Sequence, residues 1–321
     1  MECKICGNTE NNTMYKGREM MIGLREVFTY FQCGNCKCLQ LADVPDEMSK
    51  YYSDDYYSFQ EAEADNLITR FIKQKRNQYA VFNRSLLGRI IYSKYPKYDL
   101  RSLSYTPLDK KMSVLDVGCG TGELLRSLHQ LGFENLTGID PYNEEEIIEI
   151  GDDTRIFKKS IFEVEGQWDL IMMHHVFEHV SDPLQVLQRA SQLLSEGGHC
   201  LIRIPVTESV AWEKFRENWV QLDPPRHIFV HSPKSIRYLV SETDFEFEEV
   251  RYDSTAFQFW GSIQYENDIP LRHESSFAVN PEKSMFTTDD IKSFSEKANE
   301  LNKEEKGDQA VFILQKESKV L

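Results

Sequence analysis

Five of the seven cysteines lie within the first 38 residues: Cys3, Cys6, Cys33, Cys36 and Cys38. Cys3-x2-Cys6-Gly7 and Cys33-Gly34-x-Cys36 make two knuckles separated by 26 residues. Each knuckle offers two thiolates from one tight turn, and two knuckles complete a tetrahedral sulfur set for a structural Zn²⁺. An odd cysteine total fits metal ligation better than a disulfide framework. Forty residues cannot build a core of their own, and a metal can replace one. Cys38 is an alternative to Cys36 as the fourth ligand.

A second stretch, Val114-Leu115-Asp116-Val117-Gly118-Cys119-Gly120-Thr121-Gly122-Glu123, runs from an apolar strand through three alternating glycines into a helix. Glycine belongs where the backbone must turn sharply and approach a ligand with no Cβ in the way. The third glycine comes one residue earlier than in G-x-G-x-x-G, which favours a nucleotide without a pyrophosphate. Leu136-Thr137-Gly138-Ile139-Asp140 then places a carboxylate at a second strand's end, 20 residues beyond Gly120, where it can accept hydrogen bonds from ribose hydroxyls. Two further clusters hold proton-transfer groups: His174, His175, Glu178 and His179, and the loop Trp219-x2-Leu222-Asp223-Pro224-Pro225-Arg226-His227.

Alternating strands and helices must position these groups. The pattern predicts strands at 113–117, 135–139, 169–173, 200–204, 246–252 and 310–315. Helices are expected near 122–131, 183–195 and 233–243, with a polar one at 289–303. That alternation signals an open, mostly parallel sheet covered on both faces. Residues 254–288 have no clear pattern. From about Asn66 to Tyr95 the chain reads as helical, and between Asn66 and Arg101 lie nine Lys or Arg against the single Asp99. Such a run is either a solvated face or an attractor for an anionic substrate. Tyr56 and Tyr57 suit a lid, a sugar-stacking surface or plain packing.

A net charge of −15 argues against a chain whose task is gripping nucleic acid. No run of eighteen apolar residues is present, and the start, Met1-Glu2-Cys3-Lys4, lacks a secretory pattern, so a cytoplasmic location is expected.

Asp116-x-Gly118-x-Gly120-x-Gly122, with Asp140 after the second strand, resembles the signature of class I S-adenosylmethionine-dependent methyltransferases. Trp168–Val180, followed by Asp182-Pro183, resembles that family's fourth-strand motif, and Leu193-Leu194-Ser195-Glu196-Gly197-Gly198 its approach to the fifth strand. The similarity covers residues 106–321, after a zinc ribbon at 1–42 and a helical linker or lid region at 43–105. It implies an α/β, Rossmann-like, seven-stranded sheet in the order 3-2-1-4-5-7-6. It also implies that Gly118, Gly120 and Gly122 flank the methionine and ribose of S-adenosylmethionine. Asp116 would hold the ammonium, Asp140 the ribose, and the loop containing Ser160 and Ile161 the adenine, with His174 lining the cofactor.

Methyl transfer to a hydroxyl requires in-line alignment and removal of a proton. His227 is the first candidate base, on a loop stiffened by paired prolines. Glu178 and His179 are further candidates that in this family more often act as scaffold, capping the helix near Asp182. The 219–233 loop resembles a subgroup common in surface-glycan and sugar pathways. The expected reaction is therefore O-methylation of a sugar hydroxyl in glycan or sugar-nucleotide biosynthesis. C-methylation of a keto-sugar nucleotide and a non-catalytic zinc-ribbon binding module are the alternatives.

Overall fold

A computed structural model describes residues 1–52, 66–151 and 153–317. The strands are β1 (Thr13–Arg18), β2 (Val27–Gln32), β3 (Leu39–Leu41), β4 (Ser113–Val117), β5 (Asn135–Ile139), β6 (Ile147–Gly151), β7 (Thr154–Phe157), β8 (Trp168–His174), β9 (Leu194–Pro205), β10 (Phe229–Val230), β11 (Phe245–Tyr252) and β12 (Gln309–Lys316). The helices are α1 (Leu67–Phe82), α2 (Leu86–Lys94), α3 (Tyr98–Ser102), α4 (Glu123–Gln130), α5 (Pro183–Leu193), α6 (Val210–Phe215), α7 (Pro233–Ser241), α8 (Phe257–Glu266) and α9 (Thr288–Lys303).

The main sheet has eight strands in the order β11-β12-β9-β8-β4-β5-β7-β6. Its centre is parallel, and β12 runs antiparallel between β9 and β11. The expected seven-strand order is present from β7 to β11. The eighth strand, β6, folds back antiparallel on β7 and was not foreseen. This is the Rossmann-like methyltransferase fold.

Central strands buried on both faces read as continuous apolar runs, and each face feeds a different core. Leu115, Ile171, Met173, Ile202 and Ile204 pack with Val186, Leu187 and Ala190 of α5. Val114, Leu170, Met172 and Leu201 point the other way, onto Leu125 and Leu128 of α4 and onto Ala80, Val81 and Leu100 of the N-terminal helices. The start of α5 is fixed by Asp182, whose Oδ1 accepts from the Gln185 amide at 3.0 Å, with Pro183 in the first turn. The capping expected of Glu178 and His179 therefore belongs to Asp182.

The first strands are not packed apart from the rest. β1, β2 and β3 form an antiparallel sheet whose fourth strand is β10, with Phe229 opposite Gln40 and Val230 opposite Leu39. Cys3, Ile5, Phe31 and Cys33 share a core with strands β4, β8 and β9. Residues 254–288, unpatterned in sequence, contain α8, which packs with α6 and α9. Tyr56 and Tyr57 lie outside the described residues. Among the described residues, no helix is long and apolar enough to cross a membrane.

Candidate active site and metal centre

The glycine loop leaves the carboxyl end of β4. Gly118 adopts φ +68°, and a Cβ built there would lie 2.3 Å from Val176 Cγ2, so only glycine lets this turn sit against the segment after β8. Gly122, at φ +80°, opens α4. Asp140 follows directly on β5 and spans back to the loop: its Oδ2 accepts from the Gly120 amide at 3.0 Å and its Oδ1 from the Tyr142 amide at 2.9 Å. Asn143, which sequence reasoning missed, donates from Nδ2 to the Gly120 carbonyl at 3.1 Å.

Asp116 is buried beneath this loop, and its carboxyl is pushed well up by burial and by the facing Asp140 and Asp99. Burial also raises Asp140. A bound ammonium at Asp116 would draw that carboxyl back toward the anion. The two carboxyls, as acceptors, therefore fit an S-adenosylmethionine nucleoside, with its ammonium and ribose hydroxyls as donors.

The remaining expected cofactor residues are arranged less directly. The Ser160 hydroxyl is taken up in a capping box, 2.6 Å from Glu163 Oε2, and Ile161 is buried in the core. His174 turns its Nε2 to Ser102 Oγ at 2.9 Å, and burial holds its pKa down to about 3.

Past the end of β8, the chain reverses through His175 at φ +55°. Glu178 lies there fully buried, and its carbonyl accepts the amides of Ile228 and Phe229 at 2.9 and 3.1 Å. These bonds bring the 219–229 loop alongside β8, so His179 and His227 meet edge to face with ring centroids 4.8 Å apart. His227 Nδ1 donates to the Gln221 carbonyl at 2.9 Å, and His179 Nδ1 to the Arg226 carbonyl at 2.8 Å. In its neutral form His227 is thereby left with a lone pair on Nε2. His227 Nε2 lies 4.0 Å from Glu178 Oε1 and 3.8 Å from Asp223 Oδ2. Burial, and then the neighbouring His179, lowers His227 to about pKa 4, so the ring is neutral near pH 7. Burial pushes the Glu178 carboxyl up, but its contact with His175 outweighs this and holds it down at about 2.

Arg226 braces the loop rather than facing an acceptor. It is fully buried, pairs with Asp223 through Nε at 2.8 Å and with Glu19 Oε1 at 3.0 Å, and donates to the Tyr51 carbonyl at 2.7 Å. Glu19 had no sequence signal. It also accepts the amides of Ile22, Gly23 and Leu24.

Cys3, Cys6, Cys33 and Cys36 converge, with all four sulfurs within 4.8 Å of one another. Cys3 Sγ is 3.5 Å from Cys36 Sγ, and Cys6 Sγ is 3.6 Å from Cys33 Sγ. A tetrahedral zinc with Zn–S near 2.3 Å needs sulfurs roughly 3.8 Å apart, so the set fits. Gln40 Nε2 donates to Cys3 Sγ at 2.9 Å, and the Cys36 amide to Cys33 Sγ at 3.4 Å, as thiolate ligands require. Cys38 lies outside the set: its sulfur is 3.9 Å from His231 Nδ1.

Residues 92–250 match a family model described as a methyltransferase domain. The ubiquinone biosynthesis O-methyltransferase of Caulobacter sp. (strain K31) is 28% identical over 131 residues, 38% of this chain and 52% of that protein. The protein of the same name from Colwellia psychrerythraea is 37% identical over 97 residues, 27% of this chain and 39% of that protein. The chain thus spans about half the length, or less, of these curated relatives. Among solved structures, the cyclopropane synthase MmaA2 of Mycobacterium tuberculosis superposes with a TM-score of 0.46 at 16% identity, covering 79% of this chain and 100% of that one.

Proposed function

We propose, from the premise that this chain carries a class I S-adenosylmethionine-dependent methyltransferase domain, that it transfers a methyl group to an oxygen of a small hydroxylated acceptor. One observation carries the reading. The glycine loop and its two carboxylates open at the carboxyl end of β4, and the Glu178, His179 and His227 cluster stands at the end of the adjacent strand β8. S-adenosylmethionine supplies an electrophilic methyl: the new O–C bond forms as the C–S bond breaks, the thioether leaves with the electron pair, and the hydroxyl proton passes to the protein.

In this reading, Asp116 pairs with the ammonium of the methionine moiety, and Asp140 turns a carboxylate oxygen to the ribose. Gly118, Gly120 and Gly122 let backbone amides approach the ligand, Ile161 supplies an apolar wall, and His174 contributes main chain. His227 presents an unprotonated Nε2 as proton acceptor, and Glu178 and His179 hold the acceptor hydroxyl beside it. The O-methyltransferase names of the relatives support transfer to oxygen. The sugar acceptor rests on the 219–233 loop resemblance alone. The Cys3, Cys6, Cys33 and Cys36 set holds a structural Zn²⁺.

The test is formation of S-adenosylhomocysteine with a panel of sugar nucleotides, free glycans and dihydroxylated aromatic acids. Acceptor-dependent turnover with any of these establishes the reaction and names the class. Tight cofactor binding with no turnover across the panel would instead indicate a binding module.

A further inference from the structure

His175 has no part in the proton transfer proposed above, yet it is held from the neighbouring strand. It sits just past β8 at φ +55°, a left-handed position that histidine and asparagine tolerate better than most residues. Its amide donates to the Arg203 carbonyl at 2.9 Å. Arg203 is buried near the end of β9, beside β8. Its guanidinium donates from Nη1 to His175 Nε2 at 2.6 Å and from Nε to Asp253 Oδ2 at 2.6 Å. Asp253, just beyond β11, is buried too, and its Oδ1 accepts from Gln309 Nε2 of β12 at 2.8 Å. The planar fork is thus fixed between β9, β11 and β12.

Arginine has donors and no acceptor, so the 2.6 Å contact requires a lone pair on His175 Nε2. The ring's single proton then resides on Nδ1, which lies 3.4 Å from Glu178 Oε1. In the other tautomer, two N–H groups would collide and a lone pair would face a buried carboxylate. Glu178 is also faced by His179 in its own turn, by His227, and by His231 just past β10. In their neutral forms His179 and His227 commit their Nδ1 protons to carbonyls, so neither offers Glu178 a proton as His175 does. Glu178 Oε1 stands 4.0 Å from His227 Nε2. Burial lowers the basicity of His227, and the charge on Glu178 opposes that by favouring the imidazolium.

We propose that Arg203 and Asp253 are positioning residues for methyl transfer: Asp253 aims Arg203, Arg203 fixes the Nδ1–H tautomer of His175, and His175 holds Glu178 as the anion that supports His227. No proton travels along this chain of contacts. The acceptor's proton goes to His227 Nε2, and the carboxylate beside it stabilises the cation that results. The purpose of the arrangement rests on the methyl-transfer reading above, whereas the ring state of His175 is measured without turnover.

The test uses the full chain with ring-¹⁵N histidine and carboxyl-¹³C glutamate, the His175→Asn and Glu178→Gln spectra assigning the signals. In the wild type, His175 is expected to show a protonated Nδ1 and an unprotonated Nε2. A proton on Nε2 would overturn the proposal without any variant. Arg203→Met should release the ring to mixed tautomers and raise the Glu178 titration midpoint by about one pH unit or more. Asp253→Ala, which frees the fork, should act in the same direction. An unmoved ring and midpoint in both folded variants would likewise overturn the assignment. The link to catalysis is read from a double-mutant cycle on kcat. In His175→Asn the side-chain amide replaces Nδ1–H as donor and suits the same backbone. Arg203→Met should therefore lower kcat by about tenfold beside His175 and by under about twofold beside the asparagine variant. Equal losses in both backgrounds would show that Arg203 does not act through His175. Absence of turnover with every acceptor would sink the methyl-transfer reading, and the ring and carboxyl signals would still decide the roles of Arg203 and Asp253.

Discussion

Asp140 does two tasks with one carboxylate. Its oxygens hold the Gly120 and Tyr142 amides, and in the proposed reading they also meet a ribose. Asp140→Ala is expected to weaken S-adenosylhomocysteine binding by about 1–3 kcal/mol, measured by calorimetry, because charged hydrogen bonds are lost and the loop loosens. Unchanged affinity would remove Asp140 from the site. His227→Ala should lower turnover and leave cofactor affinity intact, since its ring stands beyond the glycine loop. Normal turnover would exclude it as the proton acceptor. Asp308, buried and accepting from Trp219 Nε1 at 2.9 Å, gives a pH prediction, because burial raises it to about 6. Its unfolded pKa is about 3.9, so folding takes up a proton between these values. The stability it contributes is present below about pH 4, falls as pH rises to 6 and stays lost above. Asp308→Asn should flatten that slope and raise stability near pH 7 by about 2 kcal/mol, read from urea unfolding at several pH values.

At the scale of elements, the 223–230 segment is gripped from the N-terminal sheet. β10 pairs with β3, the Tyr30 hydroxyl donates to the His227 carbonyl at 2.7 Å, and Arg226 reaches Glu19 and Tyr51. Arg226→Leu would leave Asp223 without its guanidinium and Glu19 without its ion pair. A loss of about 3–5 kcal/mol in denaturant unfolding is expected, and a change under 1 kcal/mol would show that the pairs are dispensable. Little of this coupling could be read in the sequence. Glu19 and Arg226 are far apart along the chain, and a pairing between them leaves no local pattern. β10 is two residues long, too short for a periodic signal. By contrast, β4, β8 and β9 were legible, because parallel strands buried on both faces carry apolar runs. The glycine loop, the acidic strand ends and the cysteine knuckles were legible because their chemistry needs particular residues at short spacing. β6 was missed because its residues are only partly buried, beside an acidic stretch, and alternate weakly. The 254–288 segment hid α8 because several of its polar residues, Gln258, Ser262 and Gln264, are buried with hydrogen bonds rather than left on an outer face.

For the whole molecule, the consequence is that the proposed zinc should be felt far from its ligands. Cys3, Cys33 and Cys36 stand in the same core as Leu115, Ile171 and Ile202 of the central sheet, so the knuckles and the central strands have no separate interior. The β1-β2-β3-β10 sheet carries that continuity to the proposed acceptor side. A self-contained ribbon would melt alone when stripped of metal. Here, removal of zinc by a chelator, or Cys6→Ser, should lower the melting temperature of the chain in one cooperative transition. Amide hydrogen exchange should rise at 226–231 as well as at the knuckles, because the pairing of β3 with β10 weakens with the turn that precedes β3. Zinc affinity and folding stability would then be linked, each raising the other. Exchange confined to residues 1–42, with the sheet and the 226–231 loop unchanged, would show instead that the metal supports its own knuckles and nothing more.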